Sequence, residues 1–227
     1  MLIYAKQPVH YIIKNYPSKI KTLYLAKEID KKDYAKFMKM DFEVKRIPPD
    51  AAGKMCKNAL HQGILAEVDE FRLDDFKSFL DKNFVLVLSS LTDVGNIGAL
   101  VRSAYALGVD AIVVCGVKKL PLEAIIRTST GSLFDIPFSI EHNIHNVLND
   151  LKTSGFTIYG ADMDGTDIRD IKIKQKRCLV LGSEGDGLSS RVRSKVDEIV
   201  SINMSHKFDS LNVSVAGAIL MDRMRDE

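Results

Sequence analysis

Residues 84–115, FVLVLSSLTDVGNIGALVRSAYALGVDAIVVC, decide the fold of this 227-residue chain. Their two ends lie in apolar runs, FVLVLSSL (84–91) and AIVVCGV (111–117), that do not alternate with polar residues. Such runs are typical of strands buried on both faces of a parallel sheet. Between them the pattern predicts a helix from Ala99 to Leu107, ended by Gly108 in the usual C-terminal position. The stretch therefore predicts a strand–helix–strand unit.

The pattern continues to the end of the chain. Further apolar runs are FTIYGA (156–161), RCLVLG (177–182) and EIVSINM (198–204). Helices are predicted between and after them, over residues 122–128, 146–153, 189–196 and 211–224. We therefore predict the α/β class with a mostly parallel sheet, although periodicity does not give the order of the strands.

The first part of the chain predicts a small α/β domain of its own. Its predicted helices are 9–16, 31–40 and 49–60, and its predicted strands are 22–26, 42–47 and 64–68. A charged stretch follows and is expected to end in a helix bearing Phe76, Phe79 and Leu80 on one face. We place the domains at residues 1–68 and 84–227, with a linker at 69–83.

The net charge of +2 is unevenly distributed. Residues 1–69 carry 13 Lys and Arg against 8 Asp and Glu, whereas the rest of the chain carries 19 against 22. A basic module joined to a near-neutral one suggests that the first part binds a polyanion such as nucleic acid. Solvated lysine side chains are the alternative for each residue individually.

The composition is that of a soluble globular protein, with 46% hydrophobic and 27% charged residues. Neither a segment of about 18 apolar residues nor a signal-peptide pattern is present, so membrane insertion and secretion are not expected. The three cysteines are far apart and form no CxxC, which favours a cytoplasmic protein. His142 and His145 are three residues apart, but no carboxylate or cysteine completes a ligand set with them and surface histidines explain them better, so no metal is expected.

Three strand ends carry polar residues, and ligands of open α/β sheets bind beyond such ends. The first is DVGNIG (93–98), which turns into an apolar helix containing Arg102. An arginine in such a run needs a partner, because an unpaired buried charge is costly. A structural ion pair and a functional role both satisfy that need.

The second strand end is LVLGSEGDG (179–187). Its spacing is neither GxGxxG nor GxxxxGK[ST], and Glu184 and Asp186 occupy positions where a phosphate needs positive potential. A cofactor with an adenosine, a cationic centre and no phosphate, such as S-adenosylmethionine, suits it better. A tight turn that uses its glycines for geometry alone is the alternative.

The third strand end is SHKFDSLNVS (205–214), before the last helix. Ser210 is a good N-cap residue, and capping is its structural explanation. Asn212 and Ser214 are predicted in the first turn of an otherwise apolar helix. Polar groups there can face a ligand together with the free backbone N–H groups.

Together these segments resemble the three motifs of the SpoU (TrmH-type) branch of the SPOUT RNA methyltransferases. DVGNIGALVRSA resembles the first motif, LVLGSEGDGLS the second and INMSHKFDSLNVSVAGAIL the third, in the family's order. The N-terminal part, ending in ALHQGILAEV, is similar to a substrate-binding domain of these enzymes. Val94 and Asn203 stand where the family usually has proline, and Asp222 replaces a common glutamate.

This resemblance implies a C-terminal trefoil knot, a homodimer and transfer of a methyl group from S-adenosylmethionine to a ribose 2′-hydroxyl. The RNA is expected to be structured, with ribosomal (23S) RNA favoured over tRNA. The implied catalytic residues are Asn96, Arg102, Glu184, Ser210 and Asn212. The implied cofactor-binding residues are Thr128, Ser129, Gly131, Gly182, Ser183, Glu184, Gly187, Ile202, Met204 and Leu211.

Two other functions stay open at this stage. One is an RNA-binding protein of the same fold without activity, against which the intact polar motif residues argue. The other is a nucleotide-dependent enzyme of the ordinary doubly wound type, which lacks its phosphate-binding loop here. Binding of S-adenosylmethionine, or of NAD or ATP instead, separates the three.

Overall fold

A computed structural model describes residues 1–183, 185, 187–206 and 210–225. These residues form two compact units. One comprises residues 1–72 together with 121–134, and the other comprises residues 73–120 and 135–227. The domain division at 68 and 84 stays a prediction; the compact units differ from it because residues 121–134 pack with the N-terminal residues.

The first unit contains a four-stranded sheet. Its strands are β1 (Leu2–Tyr4), β2 (Ile20–Leu25), β3 (Glu43–Arg46) and β4 (Ile64–Val68), and its helices are α1 (Lys6–Asn15), α2 (Lys31–Phe37), α3 (Pro49–Met55) and α5 (Leu122–Thr128). The strand order is β1-β4-β2-β3, with only β2 and β3 parallel. The first unit also contains short 3-10 turns at Pro17–Lys19 and Ser132–Phe134.

The second unit contains a six-stranded sheet. Its strands are β5 (Phe84–Ser89), β6 (Ala111–Cys115), β7 (Phe138–Glu141), β8 (Thr157–Asp167), β9 (Arg177–Leu181) and β10 (Glu198–Ser201). Its helices are α4 (Val94–Ala106), α6 (Ile144–Thr153), α7 (Ser190–Arg193) and α8 (Val213–Met224), with 3-10 turns at Phe76–Phe79 and Ile168–Asp170. The order is β10-β8-β9-β5-β6-β7, and every neighbouring pair is parallel.

This sheet confirms the predicted α/β class and the parallel pairing. Every residue of β5, β6 and β9 is buried, as their unbroken apolar runs predict. Register places Leu88 of β5 opposite Leu181 of β9, so the loops after these two central strands begin side by side. Gly108 follows α4 with a φ of 76°, in the conformation expected of a C-terminal glycine.

Several predicted elements differ in the structure. The helix expected between residues 69 and 82 is a single 3-10 turn, although Phe76 and Phe79 are buried as predicted. Strand β7 was not predicted because a four-residue edge strand with a central serine has too little pattern to recognise. Helix α8 begins at Val213 rather than at residue 211. No helix of the described residues is long and apolar enough to cross a membrane.

Strand β8 pairs with β10 around an irregularity in the register. Ile199 lies opposite Gly160, whereas Val200 lies opposite Thr166. At Gly165 the backbone of Ile199 and Val200 approaches so closely that an added Cβ would lie 2.7 Å from it. The edge strand therefore requires a glycine at this point of β8.

We expect Gly165→Ala to lower the free energy of unfolding by about 1–3 kcal/mol, because backbone atoms cannot move aside as side chains can. Gly160→Ala in the same strand is the matched control. There the new Cβ would meet only the flexible ends of Leu188 and Val196, at 2.7 and 3.0 Å. Denaturant unfolding of both variants measures the difference, and equal losses would show that the close approach at Gly165 is unimportant.

Candidate active site at the carboxyl edge of the parallel sheet

The turn from β5 into α4 is fixed by Asp93. Its side chain caps the helix, with Oδ1 accepting the backbone N–H of Asn96 at 2.7 Å. An N-cap acceptor of this kind satisfies one of the free N–H groups of the first turn. The cap places Asn96, half-buried, in the first turn of the helix. No role was predicted for Asp93 from the sequence, although its position three residues before Asn96 is a capping signal.

Helix α8 is capped by Asn212 and not by Ser210, so the capping role predicted for Ser210 is wrong. Asn212 Oδ1 accepts the N–H groups of Ser214 and Val215 at 2.9 and 3.4 Å and the Ser214 hydroxyl at 2.6 Å. Ser210 is exposed two residues before the cap. The prediction was wrong because α8 begins later in the chain than the sequence pattern indicated.

The first and third motifs meet through their asparagines. Asn212 Nδ2 donates a hydrogen bond to Asn96 Oδ1 at 3.0 Å, across 116 residues of sequence. Below this contact Gly217 lets α8 approach closely: an added Cβ would lie 2.4 Å from Leu100 of α4 and 2.7 Å from Leu181 of β9. The starts of both helices and the end of β9 therefore lie together, as the positions of the motifs predicted.

The second motif forms a closed turn after β9. Gly187 donates its N–H to the carbonyl of Ser183 at 3.1 Å, and an added Cβ on Gly182 would lie 2.1 Å from the Gly187 backbone. Gly185 and Gly187 have φ values of 92° and 61°, a conformation that favours glycine. Glu184 and Asp186 lie outside the described residues. The sequence of the turn contains no lysine or arginine, which suits a cofactor without phosphate.

Arg102 lies on an exposed face of α4, so the expectation that its charge is buried is wrong. It forms no ion pair within the described part of the chain. Tyr105, one turn further along the same face, is 46% exposed. The protomer therefore presents Arg102 outward, next to an exposed aromatic ring.

Three of the remaining predicted residues lie within the third motif. Ile202, Met204 and Leu211 are half-buried and lie between the end of β10 and the start of α8. Each keeps part of an apolar side chain open to solvent. Such side chains can pack against a flat apolar group such as a purine ring.

Thr128, Ser129 and Gly131 belong to the first unit. Thr128 Oγ1 donates to the Ala124 carbonyl at 2.9 Å, and the fully buried Ser129 donates its hydroxyl to the Ile126 carbonyl at 3.2 Å. Gly131 has a φ of 95°. These hydroxyls are already bonded within their own helical turn, so contacts to a ligand from this segment would come chiefly from the backbone.

Cys115 is the last residue of β6, so its thiol lies at the carboxyl end of that strand. Burial, with a smaller contribution from the charge of Glu141, raises the pKa of Cys115 to about 12. A thiol in this state stays protonated near neutral pH and is a poor nucleophile. Cys115 therefore does not supply a nucleophile at this sheet edge.

Comparison with known proteins agrees with this arrangement. The SpoU rRNA Methylase family matches residues 83–222, and a domain described as RNA 2'-O ribose methyltransferase substrate binding matches residues 2–73. A protein of Staphylococcus epidermidis assigned to the TrmH family of tRNA/rRNA methyltransferases is 34% identical over 173 residues, which cover 72% of this chain and 70% of the relative.

Solved structures show the same fold. The SpoU methyltransferase AviRb of Streptomyces viridochromogenes, in complex with AdoMet, is 25% identical with a TM-score of 0.81, covering 99% of this chain and 88% of its own. An AdoMet-bound rRNA methyltransferase of Sinorhizobium meliloti, at 21% identity, shares the fold with a TM-score of 0.78, covering 98% and 85%.

These matches identify the chain with its parallel sheet and asparagine pair as an RNA methyltransferase, whose residues 2–73 match a substrate-binding domain. The chain belongs to the SpoU (TrmH-type) family, as the resemblance of its three motifs predicted.

We expect Asn212→Ala to destabilise the protein by about 0.5–2 kcal/mol, because it removes the acceptor that caps α8. Asn212→Asp keeps that acceptor but loses the amide that donates to Asn96, so it should retain most of the stability. Chemical denaturation compares the two variants. Equal destabilisation would mean that the bond to Asn96, rather than the cap, stabilises the start of α8.

Proposed function

We propose that this protein transfers a methyl group from S-adenosylmethionine to a ribose 2′-hydroxyl of structured RNA, with ribosomal RNA favoured over tRNA. The observation that carries the proposal is the Asn212–Asn96 hydrogen bond, which joins two motifs of a methyltransferase family beside the end of β9. The description of the matching N-terminal domain as 2'-O ribose methyltransferase substrate binding supports the ribose as the acceptor.

The cofactor proposal rests on the chemistry of the glycine turn and of the residues around it. The described turn residues carry no cation for a phosphate, and half-buried apolar side chains follow β10. AdoMet is bound in the related AviRb structure. Bound here, S-adenosylmethionine would supply an electrophilic methyl group. The residues proposed to hold it are Gly182, Ser183, Glu184, Gly187, Ile202, Met204 and Leu211. The family resemblance also implies Thr128, Ser129 and Gly131, at the end of α5 and just after it.

Arg102 is proposed to act on the ribose hydroxyl. This hydroxyl is a very weak acid and must lose its proton in or near the transition state. A guanidinium with a pKa above about 12 is a poor general base, so we assign Arg102 the role of stabilising the developing alkoxide and holding the neighbouring phosphate. Asn96 and Asn212 would orient the ribose, while Glu184 and Ser210 would position the loops around it.

A second copy of the chain is proposed to complete this site. Tyr105 of α4 and Val215 and Ile219 of α8 are exposed apolar side chains, 46%, 48% and 36% exposed, on two helices that pack on each other. Apolar residues exposed on adjacent helices are typical of an interface. Because Arg102 lies on the same face as Tyr105, a homodimer through this surface would place Arg102 against the partner subunit.

The RNA is proposed to bind mainly through residues 1–68, with 69–83 as linker and 84–227 as the methyltransferase domain. The excess of basic residues before residue 70 supports this division. We also propose the trefoil knot of the family for the C-terminal part, and a cytoplasmic location.

Arg102→Ala should lower the rate of methyl transfer to ribosomal RNA by about 100-fold or more, the usual effect of losing one group that stabilises the transition-state charge. Arg102→Lys should keep part of the rate if positive charge is what matters. The assay uses S-adenosylmethionine with a labelled methyl group, and the labelled RNA is mapped for 2′-O-methyl positions. Cofactor affinity, measured by calorimetry, is the control and should not change.

A near-normal rate for folded Arg102→Ala would remove Arg102 from the site. If tRNA is labelled and ribosomal RNA is not, the tRNA alternative is favoured. Failure of the wild-type protein to bind S-adenosylmethionine would favour an RNA-binding protein without activity.

Val215→Glu should shift the protein toward monomers in sedimentation and lower methyl transfer with it, because a carboxylate at an apolar contact is costly to bury. Met163→Glu is the matched control, since Met163 is 64% exposed and lies on β8, away from α4 and α8 in sequence. If both variants sediment as the wild type does, the exposed residues of α8 do not form the dimer contact.

A further inference from the structure

The first unit contains a pocket of about 410 Å³ at the start of α1 and the end of α5. Lys6, Gln62, Arg127 and Thr130 line it, and none of its lining residues is acidic. Ligand pockets are commonly about 300–1,000 Å³, so this one is large enough for a nucleotide rather than a single ion. None of the catalytic or cofactor-binding residues proposed above lines it.

Arg127 gives the pocket a fixed guanidinium group. The group lies over the ring of Tyr4, 4.6 Å from its centroid, which is the geometry of a cation–π contact. Its Nε is buried and has no hydrogen-bond partner among the described residues. Arg127 also forms no ion pair within the described part of the chain. The charge is therefore partly removed from water without a counter-ion.

A guanidinium in this state favours an anion at its open side. Removing a charge from water costs free energy that the ring of Tyr4 offsets only in part, and a phosphate oxygen at the Nη atoms would offset more. Lys6 is exposed at the pocket and adds a second positive charge. The ligand chemistry that fits the two cations is therefore a phosphate ester.

The polar groups around the cations fit the rest of a nucleotide. Gln62 Oε1 accepts the backbone N–H of Lys6 at 2.9 Å, which leaves the Gln62 amide NH₂ available as a donor. Thr130 contributes a hydroxyl. Ala5, Gln62 and Thr130, all at the pocket, have φ values of 81°, 55° and 60°. Such strained backbone in residues other than glycine often occurs at ligand sites.

We propose that this pocket binds a phosphodiester and its adjoining nucleotide in the substrate RNA, with Arg127 and Lys6 holding the phosphate. The inference rests on RNA being the substrate, as proposed above, and gives the first unit one defined contact with it. A free mononucleotide has the same chemistry, and the experiment distinguishes the two sources.

The test is equilibrium binding of a fluorescein-labelled RNA hairpin by anisotropy over a series of KCl concentrations. Arg127→Gln and, separately, Lys6→Gln should each weaken binding about fivefold to tenfold near 0.1 M salt. Each should also reduce the slope of log K against log salt by about 0.7–0.9, the effect of losing one phosphate contact. Lys6 is exposed, so its variant keeps the test valid if Arg127→Gln fails to fold.

Arg46→Gln is the matched control. Arg46 belongs to the same unit and lies 4.9 Å over the ring of Tyr34, so the variant removes one charge and one cation–π contact outside the pocket. It should change affinity less than twofold. An equal loss in Arg46→Gln, or an unchanged slope in folded Arg127→Gln and in Lys6→Gln, would overturn the proposal.

Adenosine monophosphate provides the second arm of the experiment. One outcome is that adenosine monophosphate binds the wild type and not Arg127→Gln, while the salt dependence of RNA binding is the same in both proteins. The pocket is then a mononucleotide site, and the RNA assignment is wrong. The experiment needs no turnover. If the wild type binds S-adenosylmethionine and methylates RNA but the salt slope is unchanged in the variants, the pocket proposal alone is refuted. If the wild type shows neither activity, the proposed function is refuted.

Discussion

The hydrogen bond between Asn212 and Asn96 joins the two helices on which the candidate site depends. Each asparagine is held by its own helix start: Asp93 accepts the N–H of Asn96, and Asn212 caps α8 with its side-chain oxygen. Because Asn212 Oδ1 is used in the cap, its Nδ2 is left to reach Asn96 Oδ1. One amide side chain therefore fixes the start of a helix and links two motifs far apart in sequence.

The parallel sheet makes that meeting possible. All neighbouring strands of the six-stranded sheet run in the same direction, so the loops that follow β5 and β9 leave from one edge. Gly217 then lets α8 lie close to both α4 and the last residue of β9. A larger residue at Gly217 would have to displace the side-chain ends of Leu100 and Leu181, so packing below the site is matched to the close approach of the two helices.

Charge is arranged differently in the two parts of the chain. The N-terminal residues carry the excess of Lys and Arg, and the first unit contains a pocket lined by two cations and no acidic residue. In the second unit the described motif residues that meet are two neutral amides, Asn96 and Asn212, and Arg102 lies on an exposed face. This division follows the two family matches, a substrate-binding domain over residues 2–73 and a methylase over residues 83–222.

The sequence determined the α/β class, the parallel strands and the identity of the motifs, because unbroken apolar runs and glycine-rich turns reflect burial and backbone conformation directly. It also marked Asn96 and Asn212 as polar residues at strand ends. It did not give the order of the strands, the capping of α8 by Asn212 instead of Ser210, the exposure of Arg102 or the packing of residues 121–134 with the N-terminal residues. These depend on contacts between residues distant in the chain, where the neighbours of a side chain, and not its own chemistry, decide whether it is buried, capped or free to bind.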